Sequence, residues 1–314
     1  MFTKFRFFRP LFSVVICTFA AIFAWLTDRG NGDEPEPAAA RRKIVFIAGA
    51  DSHGPGEHEY RAGCRLLADH LNRSGLPVNS VVVTDGWPKD ESVLDDAAAV
   101  IFYTDGADAH PAVSHLEKLK EMSAAGVGIG CLHWSVEVAA GENGDAFLGM
   151  LGGYFEMDWS VNPVWKASLK VADHEVTRGI SDFPMRDEFY YHMRFREDLD
   201  GVTPILTDLP PAESLDRPDG GRSGNPAVRK AVLERKEPQT ILWISGPTGK
   251  GAGRGFGFTG GHFHENWRND DYRRVVLNSI LWISRVPVPE KGIASPHPTD
   301  EEMAANIKAV KTVR

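Results

Sequence analysis

The sequence predicts an α/β fold built on a doubly wound, mostly parallel sheet. Three observations support this class: short apolar runs recur along the chain, amphipathic helical segments alternate with them, and glycine or polar residues close the runs. Strands that alternate with helices are typical of βαβ units. Continuously apolar strands are typical of parallel sheets that are buried on both faces.

The elements of the first half follow this alternation closely. The predicted strands are residues 43–49, 78–84, 98–104 and 127–132. The first helix has apolar residues every three or four positions, at Tyr60, Cys64, Leu67 and Leu71, and it ends at Gly75. A second helical stretch is predicted around residues 115–124.

The second half contains more strands and longer loops. The predicted strands are residues 165–171, 203–207, 231–233, 240–245 and 254–259. Residues 216–226 form an exposed loop, and the glycine-rich residues 246–255 form a hairpin-like turn that lacks the residue order of a phosphate loop. A helix is predicted at residues 270–283, and Thr299 with Glu302 predicts a capping box at the start of a short final helix.

The N-terminus predicts export. Residues 1–30 combine a basic start with an apolar run at residues 11–26, as in a signal peptide or an N-terminal anchor. Residues 31–42 form a disordered leader, residues 43–285 the folded domain, and residues 286–314 a tail. We therefore expect a periplasmic or extracellular protein, with membrane attachment if the N-terminal segment is not cleaved.

Charge and cysteine content exclude some functions. The net charge of −8 and the lack of a long basic run argue against a nucleic-acid partner. Cys17 lies in the signal, so Cys64 and Cys131 remain, too few for a disulfide framework. Two buried free thiols are expected in preference to one disulfide.

Histidines and acidic residues follow the ends of several predicted strands. They include His53, His58, Asp105, His110, His133, His262 and His264. In open α/β sheets, ligands bind beyond the carboxyl ends of the strands. We therefore expect some of these side chains to share one site, although each alone could be an ordinary polar loop residue.

The turn after the fourth strand resembles a nucleophile elbow centred on His133. Such a turn needs small residues two positions before and two after the exposed residue. Around His133 these neighbours are Cys131 and Ser135, whereas around Cys131 they are the bulkier Ile129 and His133. The steric argument favours His133 at the elbow, with Cys131 as nucleophile kept as an alternative.

With these motifs in place, the sequence resembles the ThuA-like (trehalose utilisation) family, within the class I glutamine amidotransferase-like superfamily of flavodoxin-like folds. The matching stretches are residues 128–135, 151–155, 173–180, 187–191, 260–267 and 271–282. The resemblance implies sugar metabolism, with a small-molecule carbohydrate as partner. In the amidotransferases a cysteine stands at the elbow and a histidine late in the chain, positions that match His133 and His262. Without the thiol, hydrolysis of glutamine through a thioester is not expected.

The candidate catalytic residues are His133, His262 and Glu137. Imidazoles titrate near pH 7, so they suit general acid–base chemistry such as isomerisation or elimination next to a sugar carbonyl. The spacing of His133 and Glu137 predicts that both lie on one face of a helix. The same groups could instead hold a divalent metal ion, for which His53 and His58 are the first candidates.

Aromatic and acidic residues near these positions are candidates for substrate binding. They are Trp134, Asp187, Glu188, Tyr190, His264 and Trp267. Aromatic faces pack against the C–H surfaces of sugars, although tryptophans also fill cores. The functional hypothesis is an exported sugar-processing enzyme, an isomerase, lyase or hydrolase. The alternatives are a non-catalytic carbohydrate-binding module and a cysteine hydrolase.

Overall fold

The computed structural model describes residues 40–247, 249 and 252–308. The predicted signal at residues 1–30, and the leader up to residue 39, lie outside the described residues. No helix in the described part of the chain is long and apolar enough to cross a membrane.

Five parallel strands form one half of the sheet, in the order β2-β1-β3-β4-β11. They are β1 (Arg42–Ala48), β2 (Val78–Val83), β3 (Ala97–Tyr103), β4 (Gly128–Leu132) and β11 (Gly255–Phe258). This is the 2-1-3-4-5 order of flavodoxin-like folds, with β11 in fifth place. Every residue of β3 is buried, as expected of a strand covered on both faces.

Four antiparallel strands extend the same sheet beyond β11, in the order β10-β9-β6-β7. They are β6 (Val164–Val171), β7 (Phe183–Glu188), β9 (Val202–Asp208) and β10 (Gln239–Ser245). The side chains of β6 alternate between exposed and buried, as in a strand with one face in water. Two further short strands, β5 (Gly153–Tyr154) and β8 (Arg194–Phe195), pair with each other. Within the described residues, the nine-stranded sheet is therefore mixed.

Helices cover both faces of the sheet. They are α1 (Tyr60–Arg73), α2 (Leu116–Ala124), α3 (Glu142–Leu151), α4 (Pro226–Arg229), α5 (Asp270–Ile283) and α6 (Asp300–Ala304). Residues of α1 and α5 belong to one buried apolar cluster, and residues of α2 and α3 belong to the other. The predicted doubly wound α/β class is confirmed.

The structure corrects the predicted strand at residues 231–233. These residues continue α4 as a helical segment, Lys230–Glu234. Asn225 caps the start of this helix by accepting a hydrogen bond from the amide of Val228, and Pro226 stands at its first turn. A three-residue apolar run fits a strand or a buried helix equally well. Here the N-cap at Asn225 favours the helix.

The tail beyond residue 285 packs on the folded domain. Val286, Ile293 and Met303 are buried in the same apolar cluster as α5. The predicted capping box is present, because Thr299 accepts from the amide of Glu302 and the Glu302 carboxylate accepts from the amide of Thr299. The short final helix is therefore confirmed, and it is part of the core packing.

Candidate active site

The candidate site lies beyond the carboxyl ends of β1, β3, β4 and β11. The loop after β1 carries His53 and His58, Asp105 follows β3, His133 follows β4, and His262 follows β11. The strand order turns back between β1 and β3, which is where open α/β sheets bind ligands. Parallel strands thus bring together residues that are far apart in sequence.

His133 occupies the predicted elbow. Its φ of +54° lies in the left-handed region, which is uncommon for a residue with a side chain. The imidazole is fully buried, and its Nδ1 lies 3.0 Å from the carbonyl oxygen of Thr259. Cys131 lies inside β4 with no exposed surface, and Cys64 is a second buried free thiol. Burial raises the pKa of the Cys131 thiol, which opposes a role as nucleophile.

His58 is the second buried imidazole of the site. Its Nε2 lies 3.0 Å from Nε2 of His133, and its Nδ1 lies 2.6 Å from the hydroxyl of Tyr60. The Tyr60 hydroxyl donates a 2.6 Å hydrogen bond to Asp105. A carboxylate, a phenol and an imidazole therefore form one chain that leads from β3 to the centre of the site.

Glu188 and His262 complete this centre. Nδ1 of His262 lies 2.9 Å from Nε2 of His58 and 3.3 Å from Oε2 of Glu188. The same carboxylate oxygen lies 3.5 Å from Nε2 of His133. One ligand atom from each of the four residues lies within 4.8 Å of the others, and we call His58, His133, Glu188 and His262 the inner cluster.

Asp187 holds the loop that carries His262. Its buried carboxylate accepts hydrogen bonds from the amide of Gly261, at 2.8 Å, and from the hydroxyl of Tyr272. Gly261 has a φ of +111°, and a side chain there would be strained and would approach Tyr103. Asp187 was predicted to bind substrate, and the structure places it in a supporting position behind His262.

The pKa values of the inner histidines move in opposite directions. Burial lowers the pKa of His58 to about 4, and burial followed by the charge of His58 lowers that of His133 well below 6.5. For His262 burial also acts downward, but the hydrogen bond and charge of Glu188 outweigh it, so its pKa is raised. His58 and His133 are therefore neutral imidazoles at neutral pH.

His53 forms the exposed side of the site. Its ring stacks on that of His58 with 3.6 Å between centroids, and Ser52 Oγ lies 3.0 Å from its Nδ1. Ser52 donates its proton to Asp105 at 2.7 Å, so its oxygen accepts from Nδ1–H of His53. Burial lowers the pKa of His53, and Asp105 offsets this only in part. His53 is thus a neutral imidazole whose Nε2 is an acceptor.

The expected helical pairing of His133 with Glu137 is wrong. The chain makes a short 3-10 turn at His133–Val136, and Glu137 then has extended backbone angles. Its buried carboxylate accepts bidentate hydrogen bonds from the guanidinium of Arg222. It also accepts a 2.7 Å hydrogen bond from the indole N–H of Trp134. Arg222 comes from the predicted loop at residues 216–226, so this ion pair ties that loop to the elbow.

The remaining predicted binding residues divide into two groups. Trp134 and Tyr190 adjoin the cluster: the Trp134 ring stands edge-on to His58 at 5.7 Å, and the Tyr190 hydroxyl lies 3.2 Å from Nε2 of His133. His264 and Trp267 point elsewhere. His264 contacts the carbonyl of Met303 in the tail, and Trp267 is fully buried.

Sequence reasoning missed Tyr60, Ser52 and Arg222. Tyr60 begins α1 and fits the apolar stripe of that helix, so the sequence pattern alone predicts a core residue. A signal was present, because Tyr60 follows His58 by two positions at the end of a strand-end loop. Nothing in the sequence indicates that Arg222 pairs with Glu137.

Comparison with known proteins gives a family. The family model ThuA, described as trehalose utilisation, matches residues 45–283. No curated protein sequence matches the chain.

Two solved structures of ThuA-like proteins support the same fold. A ThuA-like protein from Bacteroides uniformis ATCC 8492 has a TM-score of 0.56 and 14% identity, covering 80% of this chain and 95% of its own. A ThuA-like protein from Parabacteroides merdae ATCC 43184 has a TM-score of 0.54 and 14% identity, with 82% and 98% covered. A glutamine amidotransferase from Thermotoga maritima has a TM-score of 0.44 and 8% identity, with 78% and 98% covered.

Proposed function

The chain belongs to the ThuA family, and from this premise we propose that it is an enzyme that moves a proton next to the carbonyl group of a sugar. The product is an isomerised or eliminated sugar. The family description, trehalose utilisation, supports a carbohydrate as substrate, and the chemistry follows from the site.

The hydrogen-bond chain from Asp105 through Ser52 to His53 carries the proposal. Because Ser52 gives its only proton to Asp105, it fixes the proton of His53 on Nδ1. The acceptor Nε2 then remains on an exposed ring above the inner cluster. The lowered pKa keeps this imidazole unprotonated at neutral pH, and its fixed tautomer presents a lone pair that can accept a proton as a general base.

The inner cluster lies directly beneath this base, because the ring of His53 stacks on that of His58 with 3.6 Å between centroids. The ring centroids of His53 and His262 are 6.2 Å apart, which is within the contact range of two aromatic rings, so the substrate would approach along the exposed edge of this pair and not between the rings. When His53 removes the proton from carbon, negative charge develops on the carbonyl oxygen. The proposal assigns the stabilisation of this charge to the inner cluster.

Trp134 provides a surface for the sugar ring. Its half-buried indole stands edge-on to His53 at 5.6 Å, and its N–H is already bonded to Glu137. Arg222 lies over the indole ring at 5.8 Å, and the apolar ring faces of a partly exposed indole are suited to packing against sugar C–H groups. Glu137 and Arg222 thus act by fixing the position of Trp134.

Proton exchange tests this function. Disaccharides, including trehalose, and their keto derivatives are incubated with the protein in D₂O, and NMR follows deuterium at the carbon next to the carbonyl. We expect exchange for a keto derivative, and a loss of about 10²- to 10⁴-fold in His53→Gln. His297→Gln, an exposed histidine of the tail, serves as the control and should keep full activity.

Two results contradict the proposal. One is full exchange activity in His53→Gln. The other is binding of a sugar by the wild-type protein without exchange or turnover of any keto derivative, which favours a carbohydrate-binding module.

Export to the periplasm or the cell exterior is part of the proposal and rests on the sequence of residues 1–30. N-terminal sequencing of protein recovered outside the cytoplasm tests it. Residues 38–40 are three consecutive alanines, the small residues typical of a signal cleavage site. A new N-terminus near these residues supports a cleaved signal, and an intact N-terminus in a membrane fraction supports an anchor. Recovery in the cytoplasm alone contradicts export.

A further inference from the structure

We propose that the inner cluster binds one divalent transition-metal ion through His58, His133, Glu188 and His262. The inference goes beyond the sugar reaction, because it depends only on the hydrogen bonds and distances among these four residues. Each of them contributes one nitrogen or carboxylate oxygen to a common centre.

The proton of His133 is fixed by its backbone contact. Nδ1 lies 3.0 Å from the Thr259 carbonyl, which can only accept a hydrogen bond. Nδ1 therefore carries the proton, and in the neutral ring Nε2 presents a bare lone pair. This nitrogen points at the centre of the cluster.

The proton of His58 is fixed by Tyr60. The Tyr60 hydroxyl gives its single proton to the Asp105 carboxylate, so its oxygen accepts from Nδ1–H of His58. Nε2 of His58 is then bare as well. A carboxylate that orients a ligating imidazole through its far nitrogen is a common arrangement at metal centres.

Two bare nitrogens thus face each other at 3.0 Å, with a carboxylate oxygen 3.5 Å from one of them. Lone pairs at this distance repel unless a cation lies between them. The Tyr190 hydroxyl and Nδ1–H of His262 can each donate one hydrogen bond here, but neither removes the contact between His58 and His133. A metal ion satisfies all four atoms at once.

The distances match the edges of a coordination shell. A metal–ligand bond of about 2.1 Å places neighbouring ligand atoms about 3.0 Å apart at a right angle and about 3.4 Å apart at the tetrahedral angle. Four of the six pairs of ligand atoms are 2.9, 3.0, 3.3 and 3.5 Å apart, and the other two pairs lie within 4.8 Å. Backbone and side-chain supports already hold the ligand atoms at these positions.

The ligand set selects the class of metal. Three imidazoles and one carboxylate suit Zn²⁺, Co²⁺, Fe²⁺, Mn²⁺ or Ni²⁺, whereas Mg²⁺ and Ca²⁺ prefer shells of oxygen. Such an ion would polarise a carbonyl oxygen, which is the role that the proposed reaction assigns to the inner cluster. His53 lies outside the four ligands and stays available as the base.

Metal uptake tests the inference without any substrate. Full-length protein is freed of metal with a chelator and titrated with Zn²⁺ by calorimetry, and with Co²⁺ by visible absorption. We expect one ion per chain and no comparable uptake of Mg²⁺. In His133→Asn, the affinity for Zn²⁺ should fall by more than about 100-fold. His297→Asn is the matched control and should bind like the wild type.

Tyr60→Phe provides a milder test that leaves all four ligands in place. The loss of its hydroxyl frees the orientation of His58, so we expect the affinity for Zn²⁺ to fall about 10- to 100-fold. Circular dichroism checks that each variant is folded. If His133→Asn does not fold, the affinity of Tyr60→Phe for Zn²⁺ decides the test. Failure of the wild type to bind Zn²⁺ or Co²⁺, or equal affinities in the wild type and both cluster variants, would overturn the inference. Metal binding without proton exchange would instead contradict only the sugar reaction.

Discussion

His110 and His133 are two buried histidines on either side of the turn that follows β4. Both are nearly inaccessible to water, and burial lowers the pKa of both. For His110, Nε2 lies 3.0 Å from the Ser135 carbonyl and Nδ1 accepts from the amide of Ala112. His133 has one backbone partner, at Nδ1, and directs its other nitrogen at His58.

The difference shows how a structural histidine can be told from a functional one. Both nitrogens of His110 are used by the backbone, so the residue stabilises the loop and the turn. One nitrogen of His133 is used to fix the tautomer, and the other is left for a ligand. Burial and pKa alone do not separate the two cases, whereas an inventory of hydrogen-bond partners does.

The largest expected difference between His110 and His133 is in the stabilisation of the protein by Zn²⁺. At a Zn²⁺ concentration about 1,000 times the dissociation constant, binding to the folded state adds about 4 kcal/mol to the free energy of unfolding. We expect this gain in the wild type and in His110→Asn, and a gain of at most about 1.4 kcal/mol in His133→Asn, because a 100-fold loss of affinity leaves Zn²⁺ at only about 10 times the dissociation constant. Urea unfolding with and without Zn²⁺ measures it. An equal gain in both variants would show that the two histidines do not differ in this way.

The pH dependence of stability tests the structural role of His110. The pKa of His110 is lowered to about 4 in the folded protein from 6.5, so between these values the unfolded chain binds the extra proton. Stability is therefore lost as the pH falls from about 6.5 to about 4, and His110 accounts for about 3 kcal/mol of that loss.

Urea unfolding of chelator-treated protein at pH 7, 6, 5 and 4 checks this expectation. His110→Asn should be less stable than the wild type at pH 7, and the difference should shrink toward pH 4. His58 and His70 have similarly lowered pKa values and are present in both proteins, so they cancel in the comparison. Parallel curves at all pH values would contradict the account.

His264 gives the smallest expected effect. It follows His262 by two positions, yet its Nε2 lies 3.0 Å from the carbonyl of Met303, outside the inner cluster. His264→Gln should cost about 1 kcal/mol of stability through this buried hydrogen bond and leave Zn²⁺ affinity unchanged. Hydrogen exchange at residues 299–304 and calorimetry measure the two quantities. A loss of Zn²⁺ affinity in this variant would mean that His264 contributes to the metal site and that the four residues of the inner cluster are not the full set.

The sequence predicts the strand ends well because buried parallel strands carry a strong apolar pattern. The positions of His58, His133 and His262 at one edge follow from that pattern and from the rule for open sheets. The steric argument for the elbow is likewise local, and it places Cys131 inside β4, as observed.

Other features depend on contacts that the sequence does not encode locally. Glu188 reaches the cluster from the end of β7, a strand on the antiparallel side of the sheet. Glu137 leaves the expected helical face because Arg222, 85 residues later, binds its carboxylate. A four-residue spacing predicts a shared helical face only where a helix forms, and here the 3-10 turn ends at Val136.

Anomalous diffraction tests the central claim most directly. Crystals of the full-length protein grown with Zn²⁺ are measured on both sides of the zinc absorption edge. The account predicts one strong peak about 2.0–2.2 Å from Nε2 of His58 and Nε2 of His133, with Glu188 and His262 as the other protein ligands. Zinc bound elsewhere with no peak between these two nitrogens would contradict it.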